Sequence, residues 1–172
     1  MPLNGDISMD AKKLFGNVAW ISKDGDLDLT KFPIDGTLKQ AISGDMEQFR
    51  SGVNTLRAMH SHGRDEAGIF LVGLLVACDE NLDRRSLIVE ALQGVNTKAC
   101  ADLLFAELKR VKSSNTTRRY LAAVIKVLAS MPTNLVQEGF TLLANDTSFS
   151  YKMRTKFEEA IVESRHCEEE WF

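Results

Sequence analysis

The chain is poor in cysteine and proline and has no long apolar run, and each shortage excludes a class of protein. Its three cysteines, Cys78, Cys100 and Cys167, are an odd and widely spaced set with no Cys-x-x-Cys pair. That excludes a disulfide scaffold and points to reduced thiols in a cytoplasmic setting. The longest apolar run, residues 68–78, is eleven residues long. A bilayer span needs about twenty, so no membrane partner is expected, and the run reads as a core helix packed on several sides. The start, MPLNGDISMD, lacks a basic stretch followed by an apolar one, so no secretory leader is expected. Basic residues are not in excess either: 21 Lys and Arg face 24 Asp and Glu, a net charge of −3. A bulk nucleic-acid binder needs a basic footprint. No phosphate-cradling glycine loop, Gly-x-Ser-x-Gly or His-Glu-x-x-His occurs, so no enzyme chemistry is expected from motifs.

What the sequence does have is helical periodicity. Met46, Phe49, Val53, Leu56 and Met59 recur at the spacing of one helical face. Leu87, Ile88, Ala91 and Leu92 do so over residues 83–93, and Cys100, Leu104, Leu108 and Val111 over residues 97–112. Asn115, Thr116 or Thr117 can cap the next helix, which carries Leu121, Val124, Ile125 and Leu128. Pro132 and Thr133 stop it and start another that reaches about residue 144, and a last helix is expected over about 149–164. Short connections make neighbours antiparallel hairpins. Residues 1–36 divide two readings: a helix over 10–21 is preferred, and a hairpin turning at Asp24-Gly25 is the alternative. Asp24, Asp26 and Asp28 read as a solvated turn. A calcium loop needs glycine where Leu29 stands.

Every second helix carries a long or apolar residue, then Arg, then apolar residues three and six or seven positions on. The copies are Phe49-Arg50 with Val53 and Leu56; Arg84-Arg85 with Ile88, Ala91 and Leu92; Arg118-Arg119 with Ala122 and Ile125; and Met153-Arg154 with Phe157, Ala160 and Ile161. The arginines at 50, 85, 119 and 154 step by 35, 34 and 35 residues. They read as bridges between repeats rather than as an anion site, because the guanidinium fork suits carboxylates and helix-terminal carbonyls. The pattern resembles the second helix of HEAT and armadillo-type repeats, Val-Arg-x-x-Ala-x-x-Ala-Leu, over roughly residues 37–164. Lys126 departs from it at the final apolar position of the third copy. The resemblance implies an all-α fold, a right-handed α-solenoid of about four hairpins with an extended binding surface. The expected organisation is an N-terminal segment over 1–36, the solenoid over 37–164 and an acidic, aromatic tail over 165–172.

Charge separates along the chain. Residues 131–172 hold 4 basic and 8 acidic groups, against 10 and 8 over residues 63–130. The chain looks like a small acidic bacterial immunity protein, and that resemblance implies a non-catalytic partner-binder that blocks a basic, nuclease-type toxin domain. The expected partner-binding residues are Asn54, Glu90, Tyr120, Glu158 and Glu159 on the second helices, with Glu163, Glu168, Glu169, Glu170 and Trp171 at the end. No cofactor, metal or small-molecule substrate is expected. His60 and His62 lie far in sequence from His166 and Cys167, which does not suit a zinc site. Two alternatives stay open. One is a HEAT-like nucleic-acid-binding or repair protein using the basic positions of residues 63–130. The other is an assembly adaptor.

Overall fold

The structure is a computed structural model that describes residues 19–21 and 26–169, with side chains to 166. Among the described residues it is all-α. Eight helices follow in order: α1 Ile34–Ala41, α2 Met46–Ser61, α3 Asp65–Ala77, α4 Leu82–Ala91, α5 Lys98–Arg110, α6 Arg118–Ala129, α7 Thr133–Asn145 and α8 Tyr151–Glu169. Among the described residues no helix is long and apolar enough to cross a membrane. The chain divides into two compact units, Met1–Ala67 and Gly68–Phe172, and α3 runs across the division.

In the first unit, the expected helix over 10–21 falls mostly outside the described residues. Its end does not follow the helical reading: residues 19 and 20 form a turn, and Ile21 pairs with Leu27 in an isolated antiparallel bridge. The flanks of the alternative hairpin are thus paired, while its turn at Asp24-Gly25 lies outside the described residues. Asp28 closes the next turn, accepting from the Thr30 backbone N–H and hydroxyl at 3.0 and 2.5 Å. Arg64 reaches back to donate to the Phe32 carbonyl while pairing with Glu66 at 2.8 Å. Helices α1 and α2 pack against each other, and a glycine sets their separation. A Cβ on Gly52 would run into the Ala41 and Gln40 backbone. Only a residue without a side chain lets the two helices come this close.

In the second unit, α4, α6 and α8 pack as one row. Helices α5 and α7 form another, with α5 against α6 and α7 against α8 as hairpins. Side-chain caps fix three starts, one of them Ser150 accepting from Met153 N–H at 3.3 Å ahead of α8. Asn81 accepts from the Asp83 and Arg84 N–H groups ahead of α4, and Thr97 accepts from Cys100 N–H ahead of α5. The cap expected of residues 115–117 takes another form. Thr117 stands at the N-cap of α6, but its hydroxyl donates to the Lys112 carbonyl at 2.7 Å and accepts from Ser114 N–H. It braces the preceding loop instead of the helix. An aromatic chain ties the two last hairpins: Phe105 meets Phe140 edge-on at 5.1 Å, Phe140 lies 6.3 Å from Phe157, and Phe149 meets Phe157 at 5.3 Å. Gly139 makes room for it, since a Cβ there would collide with the Phe105 ring.

The helical period survives, but the arginine does not mark it. The buried positions i, i+4 and i+7 are Phe49, Val53 and Leu56 in α2; Arg85 and Val89 in α4 with Leu92 at its C-cap; Tyr120, Val124 and Val127 in α6; and Met153, Phe157 and Ala160 in α8. These triplets start at 49, 85, 120 and 153, stepping by 36, 35 and 33. Arg50 and Arg154 follow the first buried position, Arg85 occupies it, and Arg119 precedes it. Arg50 and Arg119 are exposed, and Arg154, in the same register as Arg50, is half-buried. The common role in packing expected of the four arginines gives way to one buried arginine.

Candidate partner-binding surface

That one buried arginine organises the polar interior of the second unit. Arg85, 5% exposed, pairs with Glu107, 4% exposed, at 2.8 Å. Its other terminal nitrogen donates to the Cys78 carbonyl at 2.9 Å and the Asp79 carbonyl at 3.2 Å. Glu107 also accepts from the Tyr120 hydroxyl at 2.5 Å and pairs with Arg110 at 3.0 Å, and Arg110 in turn grips the exposed Glu80 at 2.8 Å. Burial alone would raise the Glu107 carboxyl. The donors Arg110, Tyr120 and Arg85 outweigh it and hold the group below its ordinary value. The Tyr120 phenol is pushed up, first by burial and then by the carboxylate it donates to. This network is a structural joint: both terminal nitrogens of the buried guanidinium are engaged, while its Nε is buried without a hydrogen-bond partner among the described residues.

Tyr120 therefore corrects one expectation. It does not point outward to a partner; it is 1% exposed and its hydroxyl is engaged inside. Its place at the i position of the Val124 and Val127 stripe was the available signal. Glu107 was not singled out in the sequence, although it stands one turn beyond Leu104 and two beyond Cys100 on an apolar face. A carboxylate in that register marks a buried ion pair.

The other expected partner residues divide. Asn54 is exposed on α2, in the first unit, and Glu90 is exposed on α4. Glu158, Glu159 and Glu163 are exposed on α8, with Glu159 and Glu163 one turn apart. The structure does not bring Glu90 and the α8 carboxylates into any shared hydrogen-bonded cluster among the described residues. The side chains of Glu168 and Glu169, and all of Glu170 and Trp171, lie outside the described residues.

The surface the sequence reading missed is on the first helices. Residues 68–78 were expected to be covered on several sides. Instead α3 buries one stripe, Ala67, Leu71 and Leu75, and leaves Ile69 71%, Val76 68% and Phe70 39% exposed. Ile69, Gly73 and Val76 follow at i, i+4 and i+7, so they line one side of the helix. The physical reason is a shortage of neighbours: apolar composition on all sides states what a helix could bury, not what is there to bury it. Between α5 and α7 runs a groove of about 400 Å³, floored by Phe105, Ala106 and Gly139, with Leu142 61% exposed at its edge. Lys98, Asp102, Lys109 and Glu138 border it, and Lys98 is paired with Asp102 at 2.8 Å.

No protein family, curated protein or solved structure matches the chain.

Proposed function

We propose that the chain is a non-catalytic protein-binding module, a HEAT-like right-handed α-solenoid that acts as an immunity protein against a basic, nuclease-type toxin in the cytoplasm. The observation that carries the partner-binding reading is the bare apolar side of α3. Three large side chains on one helix, Ile69, Phe70 and Val76, remain in water. A clustered apolar surface of that kind is the usual mark of a protein interaction site. Each side chain, once covered, contributes about 1.5–3 kcal/mol. The α8 carboxylates supply the finer part of the reading. Glu159 and Glu163 stand one turn apart, an arrangement that costs a helix about 0.2–0.5 kcal/mol in like-charge repulsion. A basic partner relieves that repulsion and is steered by it. In this scheme the apolar side of α3 anchors the toxin, while acid takes the place of the phosphates its active cleft would hold.

The test is binding of the purified chain to toxin domains encoded beside its gene, measured by calorimetry. Nanomolar affinity is expected. Ile69→Asp should weaken it about a hundredfold, since a central apolar anchor is worth about 2 kcal/mol or more. The double change Glu159→Lys with Glu163→Lys should mainly slow association. Micromolar or weaker binding to every candidate would defeat the immunity reading. Tight binding that Ile69→Asp leaves untouched would move the interface off α3.

A further inference from the structure

A second surface carries a different chemistry, independent of the partner reading. Where the starts of α6 and α8 come together, a small cleft of about 80 Å³ opens on the second-helix row. Leu121, Ile125 and Met153 form its apolar floor. Its polar rim is Ser113, Arg118, Ser150, Lys152 and Lys156. All three charged groups are cations, and no carboxylate lines the cleft. Lys31, Arg64, Arg85, Lys98 and Arg110 are in ion pairs, whereas other surface cations such as Lys39, Lys112 and Lys126 are in none of the six ion pairs among the described residues; what sets the cleft apart is that three cations line one cavity. Among the described residues none of the six ion pairs includes Arg118, Lys152 or Lys156. Among the described residues the one hydrogen bond from a charged head at this rim goes to a neutral group, from Arg118 to the Asn115 amide oxygen at 3.1 Å.

The position adds to the positive potential. Helix starts carry a partial positive charge and favour acidic residues in the first turn. Helices α6 and α8, like α5 and α7, have no acidic residue there; Thr117 makes no side-chain capping bond at the start of α6, whereas Ser150 Oγ accepts from Met153 N–H at 3.3 Å at the start of α8. Two positive helix ends and three cations thus share one cleft, which raises the energy of the empty protein. A bound oxyanion removes that repulsion. The room suits one: about 80 Å³ holds several waters but is well below the roughly 300–1,000 Å³ of a drug-sized ligand site.

We propose that this cleft is a binding site for a phosphate-type oxyanion, held by Arg118, Lys152 and Lys156 with the Ser113 and Ser150 hydroxyls as donors. The oxyanion is either free or the end of a phosphomonoester whose body lies on the Leu121 and Ile125 floor.

Titration of the full, isotopically labelled chain with inorganic phosphate at constant ionic strength, followed by amide NMR, tests it. Saturable shifts are expected at residues 113–118 and 150–156, and chloride at the same ionic strength should not reproduce them. Arg118→Gln and Lys152→Gln should each weaken binding by about tenfold, the worth of one charge-assisted hydrogen bond. Lys126→Gln, outside the cleft, should leave it unchanged. A parallel titration with a nucleoside monophosphate separates the two sources. Equal affinity assigns the free oxyanion; tighter binding with added shifts at Leu121 and Ile125 assigns the ester. Three results would overturn the proposal: shifts that do not saturate, shifts that survive both glutamine variants, or far tighter binding of a single-stranded oligonucleotide with a salt dependence of several charges. The last would make the surface a nucleic-acid track.

Discussion

Arg50 and Arg85 stand in matching positions of one sequence pattern, yet the regions around them are held together by different means. Around Arg50, the α1–α2 hairpin is set by backbone approach: Gly52 meets the Ala41 backbone, Phe49, Val53, Leu56 and Met59 fill the seam, and the arginine stays in water. Around Arg85, an ion pair and a phenol are sunk into the seam instead, tying α4 to α5 and α6. The difference lies in the neighbours. Arg85 is buried because Glu107 and Tyr120 face it, and because two carbonyls just past the end of α3 accept from its second terminal nitrogen. A cation without such partners cannot leave water.

The hardest way to break this comparison is Glu107→Gln. It keeps the shape but strands Arg85 as an unpaired buried charge and weakens the bond from Tyr120. A loss of about 3–5 kcal/mol is expected, read by urea unfolding, with α4–α6 amides losing protection first. If the loss stays below about 1 kcal/mol, the network is not the joint of this unit.

Gly52→Ala is the counterpart in the other unit. The clash is with backbone, which cannot swing aside, so a loss of about 1–3 kcal/mol is expected. Hydrogen exchange should show it in α1 and α2. Gly139→Ala should cost less, because the obstacle is the Phe105 ring, which can turn.

Alkali sharpens the contrast further. Burial pushes the Cys100 thiol from 9.0 up to about 11, and Tyr120 is raised as well. The unfolded chain releases these protons first, so the folded state holds more protons as pH climbs above about 9, and stability falls as pH rises toward 11. Each group contributes a slope of at most about 1.4 kcal/mol per pH unit. Cys100→Ala should flatten the fall. Residues 1–67 contain neither cysteine nor tyrosine, so α1 and α2 should show no comparable response.

The smallest effect belongs to the arginine the motif emphasised. Arg50→Ala should change stability by no more than about 0.5 kcal/mol, as exposed substitutions do. A loss of 2 kcal/mol or more in thermal unfolding would restore the bridging role that its exposure denies.

These differences also explain what could be read without coordinates. Helix positions were legible because Phe49, Val53 and Leu56, or Met153, Phe157 and Ala160, announce a buried face by spacing alone. Which polar residue joins that face was less so, because burial of Arg85 depends on a carboxylate twenty-two positions away. The run over 68–78 misled for a related reason. Hydropathy reports appetite for burial, and the number of neighbours is a property of the stack. Of the expected partner residues, Glu158, Glu159 and Glu163 are at the surface, on a side of α8 where Tyr151 and Val162 are also exposed, 79% and 53%. Tyr120 was expected on the outer face because the pattern was set on Arg119, whereas its spacing to Val124 and Val127 puts it on the buried one. The cationic cleft was not legible at all. Arg118 and Lys152 are 34 positions apart, and only the pairing of α6 with α8 brings them to one rim.

The two carbonyls that Arg85 holds, those of Cys78 and Asp79, belong to the segment that links α3 to α4. A connecting segment of this kind ordinarily opens by itself, at little cost, many times before the rest of a protein does. Here it cannot open without withdrawing acceptors from the guanidinium that Glu107 and the α6 phenol depend on. Its breathing is thereby locked to that of three helices. A protease probing this link would meet the resistance of a core rather than that of a loop.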